Sequence, residues 1–349
     1  MNESEEISWL PLILVAFATF IITLDSTFMN VSISQLIIDL NTSLSTIQLI
    51  ISFYALTTAS LMLLSSKLQD ILGKKKIFLI GALLFGIGAL IASISFNSIM
   101  LFIGWSLLEG VGGALMTPAT ISIISSTYVN DRRTRALAVL SAMGGIAAAI
   151  GPIFGGFITT FISWRAGFVF ELAIIVFIFA YSSRIKDFRP MAKTNLDIVG
   201  AVMSILGLVF FVLGILNLKS NLILSFLLIV IAIAVFYFFV RYEIKFKQAG
   251  LDPLVDIGLL KDYNLKIGMI SRLLLMMVMI GSLFAVSVFL QGVLGFSAIV
   301  TGLCLIPATG GILISAILVP KLSKKYDSIF LMVLGCILAI IACIVLRNQ

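Results

Sequence analysis

The chain has 349 residues, 61% of them hydrophobic and 11% charged, a net charge of +7, and a mean hydropathy of +1.21. A soluble protein of this length carries about twice that charge, and the short alternating segments of a β-barrel are absent, so the composition predicts an all-α integral membrane protein. Apolar runs long enough to span a bilayer recur from end to end. Eleven spans are expected at about 9–38, 47–69, 76–95, 98–127, 135–162, 164–184, 196–217, 222–240, 266–290, 297–320 and 328–346. The first follows an acidic leader, Met1 to Glu6, where a signal peptide would be basic, so it reads as a retained span. The longest polar connection runs from Arg241 to Asn264. The three cysteines, Cys304, Cys336 and Cys343, fall inside apolar runs and read as packing residues without metal spacing. Histidine is absent, which removes the commonest metal ligand, and no metal site is expected.

Orientation follows from the basic residues. With the N-terminus cytoplasmic, all 23 Lys and Arg except Arg165, Lys219, Arg347 and the intramembrane Arg272 fall in cytoplasmic connections, including Lys67, Lys74–Lys76, Arg132, Arg133, Arg135, Arg189, Lys193 and Lys324. The positive charge is thus a topology signal beside anionic lipid, and no nucleic-acid partner is implied. Two short basic turns, 66–76 and 320–327, each lead into Ile-Phe-Leu, a weak internal echo of the kind that repeat-built transporters show.

Gly144 to Gly156 is unusual within the fifth span. Its glycines and alanines strip one helix face to backbone, so another helix can approach closely. Pro152 lacks an N–H, and a bend or loosening is expected there. Three acids fall within spans: Asp25, Glu109 and Glu171. Each costs roughly 2.5–3.5 kcal/mol or more at a helix centre if charged and unpaired, so protons and cations could compete for them. The alternatives are structural: a hydrogen bond that Asp25 accepts from a nearby Ser or Thr hydroxyl or a place for it at the outer interface, and an ion pair between Glu171 and Arg165. Arg272 reads as the partner of an intramembrane acid or as a snorkelling side chain. There is no Gly-Lys-Ser/Thr phosphate loop, so ATP is not the expected energy source, and no enzyme chemistry is indicated.

Several segments together resemble the major facilitator superfamily, in particular its fourteen-helix drug:proton antiporter branch (QacA/EmrB type). They are Leu24-Asp25-Ser26-Thr27-Phe28-Met29-Asn30-Val31, Leu68-Gln69-Asp70-Ile71-Leu72-Gly73-Lys74-Lys75, the stretch through Gly145, Gly151, Pro152, Gly155 and Gly156, Trp164-Arg165, Asp197-Ile198-Val199-Gly200, and Phe289 to Gly295. The chain departs from the pattern in helix 4, where Arg-x-x-Gln-Gly is replaced by Ser106-Leu107-Leu108-Glu109-Gly110. The resemblance implies a six-helix bundle at 1–190, two linking helices with a cytoplasmic loop at 191–264, and three helices of a partial C-terminal bundle at 265–349. It implies alternating access in the plasma membrane and proton-coupled efflux of small hydrophobic or cationic compounds, with the proton gradient in place of a cofactor. Asp25, Glu109 and Glu171 are then the coupling residues, Gly145, Gly151, Pro152, Gly155 and Gly156 the antiporter motif packed against the C-terminal half, and Asp70, Gly73, Lys74 and Arg135 a cytoplasmic gate. The gate residues also fit plain topogenic loops. Expected partners are the lipid bilayer and a small-molecule substrate. Export of an amino acid, peptide or metabolite is the alternative. A shortened chain that transports nothing, or needs a protein partner or oligomer to close its path, is another.

Overall fold

The computed structural model describes residues 8–187, 196–322 and 325–347, which form helices and short turns with no strand among them. Arg189, Lys193 and Lys324 lie outside the described residues. In chain order the helices are α1 (Leu10–Phe28), α2 (Ile33–Asp39), α3 (Leu44–Leu72), α4 (Lys74–Ser93), α5 (Ser98–Leu101), α6 (Gly110–Thr127), α7 (Asn130–Phe161), α8 (Arg165–Ala180), α9 (Ile198–Leu216), α10 (Leu222–Gln248), α11 (Tyr263–Gly292), α12 (Ala298–Cys304), α13 (Ile306–Leu322) and α14 (Ser328–Arg347). Among the described residues, eight helical segments are long and apolar enough to cross a membrane. Every expected span coincides with helix, but three are interrupted. The first breaks at a 3₁₀ turn, Met29–Val31, before α2. The fourth passes through a π-helical stretch, Phe102–Glu109, between α5 and α6. The tenth divides at Leu305. The expected polar connection after 240 is also shorter than the sequence suggested, because α10 continues to Gln248.

Helix starts are set by side-chain caps. Ser43, Asn97, Asp197, Asn221 and Asp262 accept from backbone N–H groups at the heads of α3, α5, α9, α10 and α11. Gly73 has φ +97°, which lets α3 end and α4 begin with one residue between them.

The core lies in two layers along the membrane normal. At the cytoplasmic end Leu14, Ile21, Phe78, Phe85, Ile123 and Tyr128 are among the side chains that fill the space between α1, α4, α6 and α8. Toward the outer end Phe28, Leu36, Tyr54, Trp105, Trp164 and Phe168 are prominent. Helices α9 and α10 form a hairpin that packs on α3 through α9, and α7 packs on α1, α12 and α13.

Candidate functional site

The outer layer contains the three acids. Asp25 lies near the end of α1, Glu109 is the last residue of the π-helical stretch, and Glu171 lies less than two turns into α8. At 1.5 Å per residue, Asp25 is about 22 Å from the start of α1 and Glu171 about 9 Å from the start of α8, which places both nearer the outer end of their helices. One carboxylate oxygen from each lies within 4.8 Å of the other two. All three residues are 0% exposed.

Close backbone packing makes this meeting possible. A Cβ on Gly88 of α4 would stand 2.5 Å from the Gly104 carbonyl and 2.6 Å from Glu109 Cγ. Glycine at position 88 therefore lets α4 press against the π-helical turn that carries the acid. π-Helical turns of this kind recur at functional sites.

The polar inventory of the cluster is unbalanced. The Trp105 indole N–H donates to both oxygens of Asp25, at 2.8 and 2.9 Å. Tyr54 stacks on Trp105 with ring centroids 5.2 Å apart, and its buried hydroxyl has no formed hydrogen bond. Both oxygens of Glu109 and both of Glu171 are buried without a hydrogen-bond partner. Two carboxylates 4.8 Å apart repel by about 3.5 kcal/mol at an effective dielectric of 20. Protons on these carboxyls, or a cation between them, would relieve that repulsion. An all-oxygen donor set suits protons and hard cations and disfavours soft metals.

Arg165 does not pair with Glu171, which corrects that alternative. Its guanidinium instead reaches Asp39 Oδ2 at 3.3 Å and the Ser95 carbonyl at 2.7 and 3.0 Å, and lies 4.3 Å over the Trp164 ring. Trp164 Nε1 donates to the same Asp39 oxygen at 2.9 Å. The planar guanidinium fits this mixed stacking and hydrogen-bonding role, and the clasp ties α2, α4 and α8 together at the outer surface. Arg272 is exposed on α11.

The glycine stretch grips helices on both sides. On one side Gly151 meets Thr27, and a Cβ on Gly155 would stand 2.6 Å from the Phe28 carbonyl, so α7 packs on α1 within the N-terminal bundle. On the other side a Cβ on Gly156 would stand 2.6 Å from the Ala298 carbonyl, and Gly302 lies against the Pro152 carbonyl, so the same helix packs on α12. The expected contact with the C-terminal half is present but is only half of the motif's packing. Gly145 has nothing within 4 Å of its Cβ position. Despite the expected loosening at Pro152, α7 is helical without interruption.

Further polar contacts between the halves also lie at the outer end. Gln291 of α11 accepts from Ser34 N and donates to the Asn30 carbonyl, both at 3.2 Å, at the break between α1 and α2. Ile299 N donates to Thr160 Oγ1 at 3.2 Å. Ser287 and Gln291, both toward its outer end, are the buried residues of α11. Among the described residues, these contacts hold the two halves together at the outer end of the bundle.

The proposed gate residues are more dispersed. Lys74 donates to Ser126 Oγ at 2.5 Å, Asp70 is half-buried at the end of α3, and Arg135 is exposed on α7. The charge contact that sequence reasoning missed is Lys67, buried and paired with Asp252 of the loop after α10. Trp105 was also missed, although an indole four residues before an intramembrane acid is a readable signal for a buried N–H seeking a partner. Cys304 and Cys336 are free and exposed, not core residues.

A model of the Major Facilitator Superfamily matches residues 15–346. The chain is 28% identical over 338 residues to the methylenomycin A resistance protein of Bacillus subtilis, covering 95% of this chain and 72% of that protein. It is 26% identical to the multidrug efflux pump LfrA of Mycolicibacterium smegmatis, covering 95% and 65%. To the tetracenomycin C resistance and export protein of Streptomyces glaucescens it is 27% identical, covering 88% and 57%. The chain thus spans less than two thirds of the length of two of these three relatives. A crystal structure of a peptide transporter, POT, in complex with sulfate aligns with a TM-score of 0.50 at 20% identity, over 66% of this chain and 52% of that one.

Proposed function

Because the chain belongs to the Major Facilitator Superfamily, we propose that it is a proton-coupled exporter of small hydrophobic or cationic compounds of the fourteen-helix antiporter branch. The observation that carries this reading is the buried cluster of Asp25, Glu109 and Glu171, with two of its three carboxyls unpartnered. Protons on those carboxyls leave a cluster cheap to bury. An entering cation makes the ionised form tolerable and displaces a proton. Exchange then requires the cluster to face each side in turn. An opening toward the cytoplasm would admit substrate, and separation of α7 from α12 would open the outer side. The names of the three relatives, concerned with antibiotic resistance, efflux and export, support export over uptake.

The test is Asp25→Asn in everted membrane vesicles loaded through a proton gradient. We expect at least a tenfold loss of proton-driven uptake of a cationic dye, with membrane insertion and monodispersity unchanged. Dye transport at the wild-type rate would remove Asp25 from coupling. A second reading, in which further helices from a partner or a second copy complete the path, is favoured by the large exposed apolar surface of α11. Cross-linking in native membranes separates the two readings.

A further inference from the structure

A second pair of buried acids lies away from the membrane cluster, where the hairpin of α9 and α10 meets the cytoplasmic loop. Asp197 caps α9, its Oδ1 accepting from Gly200 N at 2.8 Å. Glu243 lies in the last turns of α10, its Oε2 accepting from Val255 N at 3.2 Å. Each residue is 1% exposed. The remaining oxygens, Asp197 Oδ2 and Glu243 Oε1, are buried without a partner. Both lie against the point where a Gly200 Cβ would stand, so they face one another across the space that this glycine leaves.

Two carboxylate oxygens only accept, and a buried unpaired acceptor costs about 1–3 kcal/mol, more when charged. A single proton turns both orphans into one hydrogen bond. We infer that Asp197 and Glu243 form a second proton-binding site, a shared-proton latch that fastens the linking hairpin to the cytoplasmic loop. The loop is in turn held to the N-terminal bundle, because Asp252 pairs with Lys67 of α3. Protonation of the pair thus joins three parts: the head of α9, the tail of α10 and the end of α3. When the proton leaves to cytoplasmic water, the pair passes from one negative charge to two. Glu243 is then driven from Asp197 and loosens its hold on Val255.

None of the surrounding charged groups bonds to either orphan oxygen. From α10, Lys247 is engaged by Asp256 at 2.6 Å and Arg241 by the Tyr237 hydroxyl at 3.0 Å. From α3, Lys67 is taken by Asp252, and Asp70 is a further acid rather than a counter-ion. Lys261, in the turn that follows, is exposed. Tyr242 is the remaining neighbour, with its phenol close to Asp197.

The latch is tested in the full chain in lipid nanodiscs, with nitroxide labels on cysteines placed at the exposed Ile198 at the head of α9 and the exposed Leu251 of the loop, and with the native cysteines replaced. Spin–spin broadening reports their proximity at pH 5 and pH 9. The Lys247 ammonium holds the Asp256 carboxyl below the usual carboxylate range, so that carboxyl stays ionised across this window. Wild type is expected to show close labels at pH 5 and separated labels at pH 9. Glu243→Gln and Asp197→Asn each keep one N–H between the two side chains and should remain close at both pH values. Tyr242→Phe should keep the wild-type response. A wild type that does not respond to pH overturns the latch, as do amide variants that still respond. Loss of the response in Tyr242→Phe assigns it to the tyrosine and overturns the carboxyl pair equally. These readouts need no transport, so they stand apart from the test at Asp25.

Discussion

Trp105 gives Asp25 its two hydrogen bonds while filling the space between Tyr54 and Phe168. Trp105→Phe should keep most of the packing but remove a hydrogen bond to a charged group, worth about 1.5–3 kcal/mol. The expected result is a lower melting temperature in detergent together with slowed dye transport. A variant that melts and transports like wild type would show that the indole N–H is dispensable. The acids themselves were legible one by one, since each violates the apolar rule of its span. Their convergence was not. Positions 25, 109 and 171 come from three helices whose phases depend on a π-helical stretch and on Gly88, and neither hydropathy nor spacing encodes a rotation produced by packing. The alternative pairing of Glu171 with Arg165 failed for a related reason. The two are six residues apart on a helix, so Arg165 at its first turn points to Asp39 and Ser95 instead.

At the level of elements, α7 shows why a motif of small residues is not uniform. Gly145 faces open space, whereas Gly155 and Gly156 lie against backbone on opposite neighbours. Gly145→Ala should be neutral or stabilise by up to about 1 kcal/mol through reduced unfolded-state entropy. Gly155→Ala and Gly156→Ala should each cost about 1–3 kcal/mol from overpacking. Thermal melts followed by size-exclusion chromatography compare the three directly, and equal melting temperatures would mean that the close packing is not maintained in the membrane. Helix existence was readable throughout because apolar length is explicit in the sequence. The breaks after Phe28 and at Leu305 were hidden because the apolar run continues across them. The last turns of α10 were missed for the opposite reason: residues 241–248 are polar enough to read as loop, yet Glu243 and Lys247 lie on adjoining turns of one helix.

For the whole molecule, the outer closure rests on few polar contacts, and Gln291 supplies two of them. Gln291→Leu leaves Ser34 N–H and the Asn30 carbonyl unpaired, a cost of about 1–3 kcal/mol borne only by the outward-closed state. The population open to the outside should therefore rise about fivefold or more. An impermeant maleimide reacting with a cysteine at Phe154 measures this, and an unchanged labelling rate would place the closure elsewhere. The orientation of the bundle is an expectation that rests on its basic loops, because charge in loops survives folding unchanged. The outer contacts that join its halves were not legible, because both states of a rocking bundle use one sequence and differ only in which contacts are made.

The chain has three tryptophans, and the fold spreads them along the membrane normal. Trp9 is 42% exposed and stacks on Tyr128 at the cytoplasmic end, Trp105 touches the carboxyl cluster, and Trp164 is sealed in the outer clasp. The molecule thus carries its own optical ruler. With two indoles replaced by phenylalanine at a time, the emission of each remaining one reports a single depth. The Trp105-only protein should change its emission as the cluster exchanges its charge, while the Trp9-only and Trp164-only proteins should respond to movement at the two mouths. Intrinsic fluorescence alone can then time the order in which one side closes, the centre discharges and the other side opens.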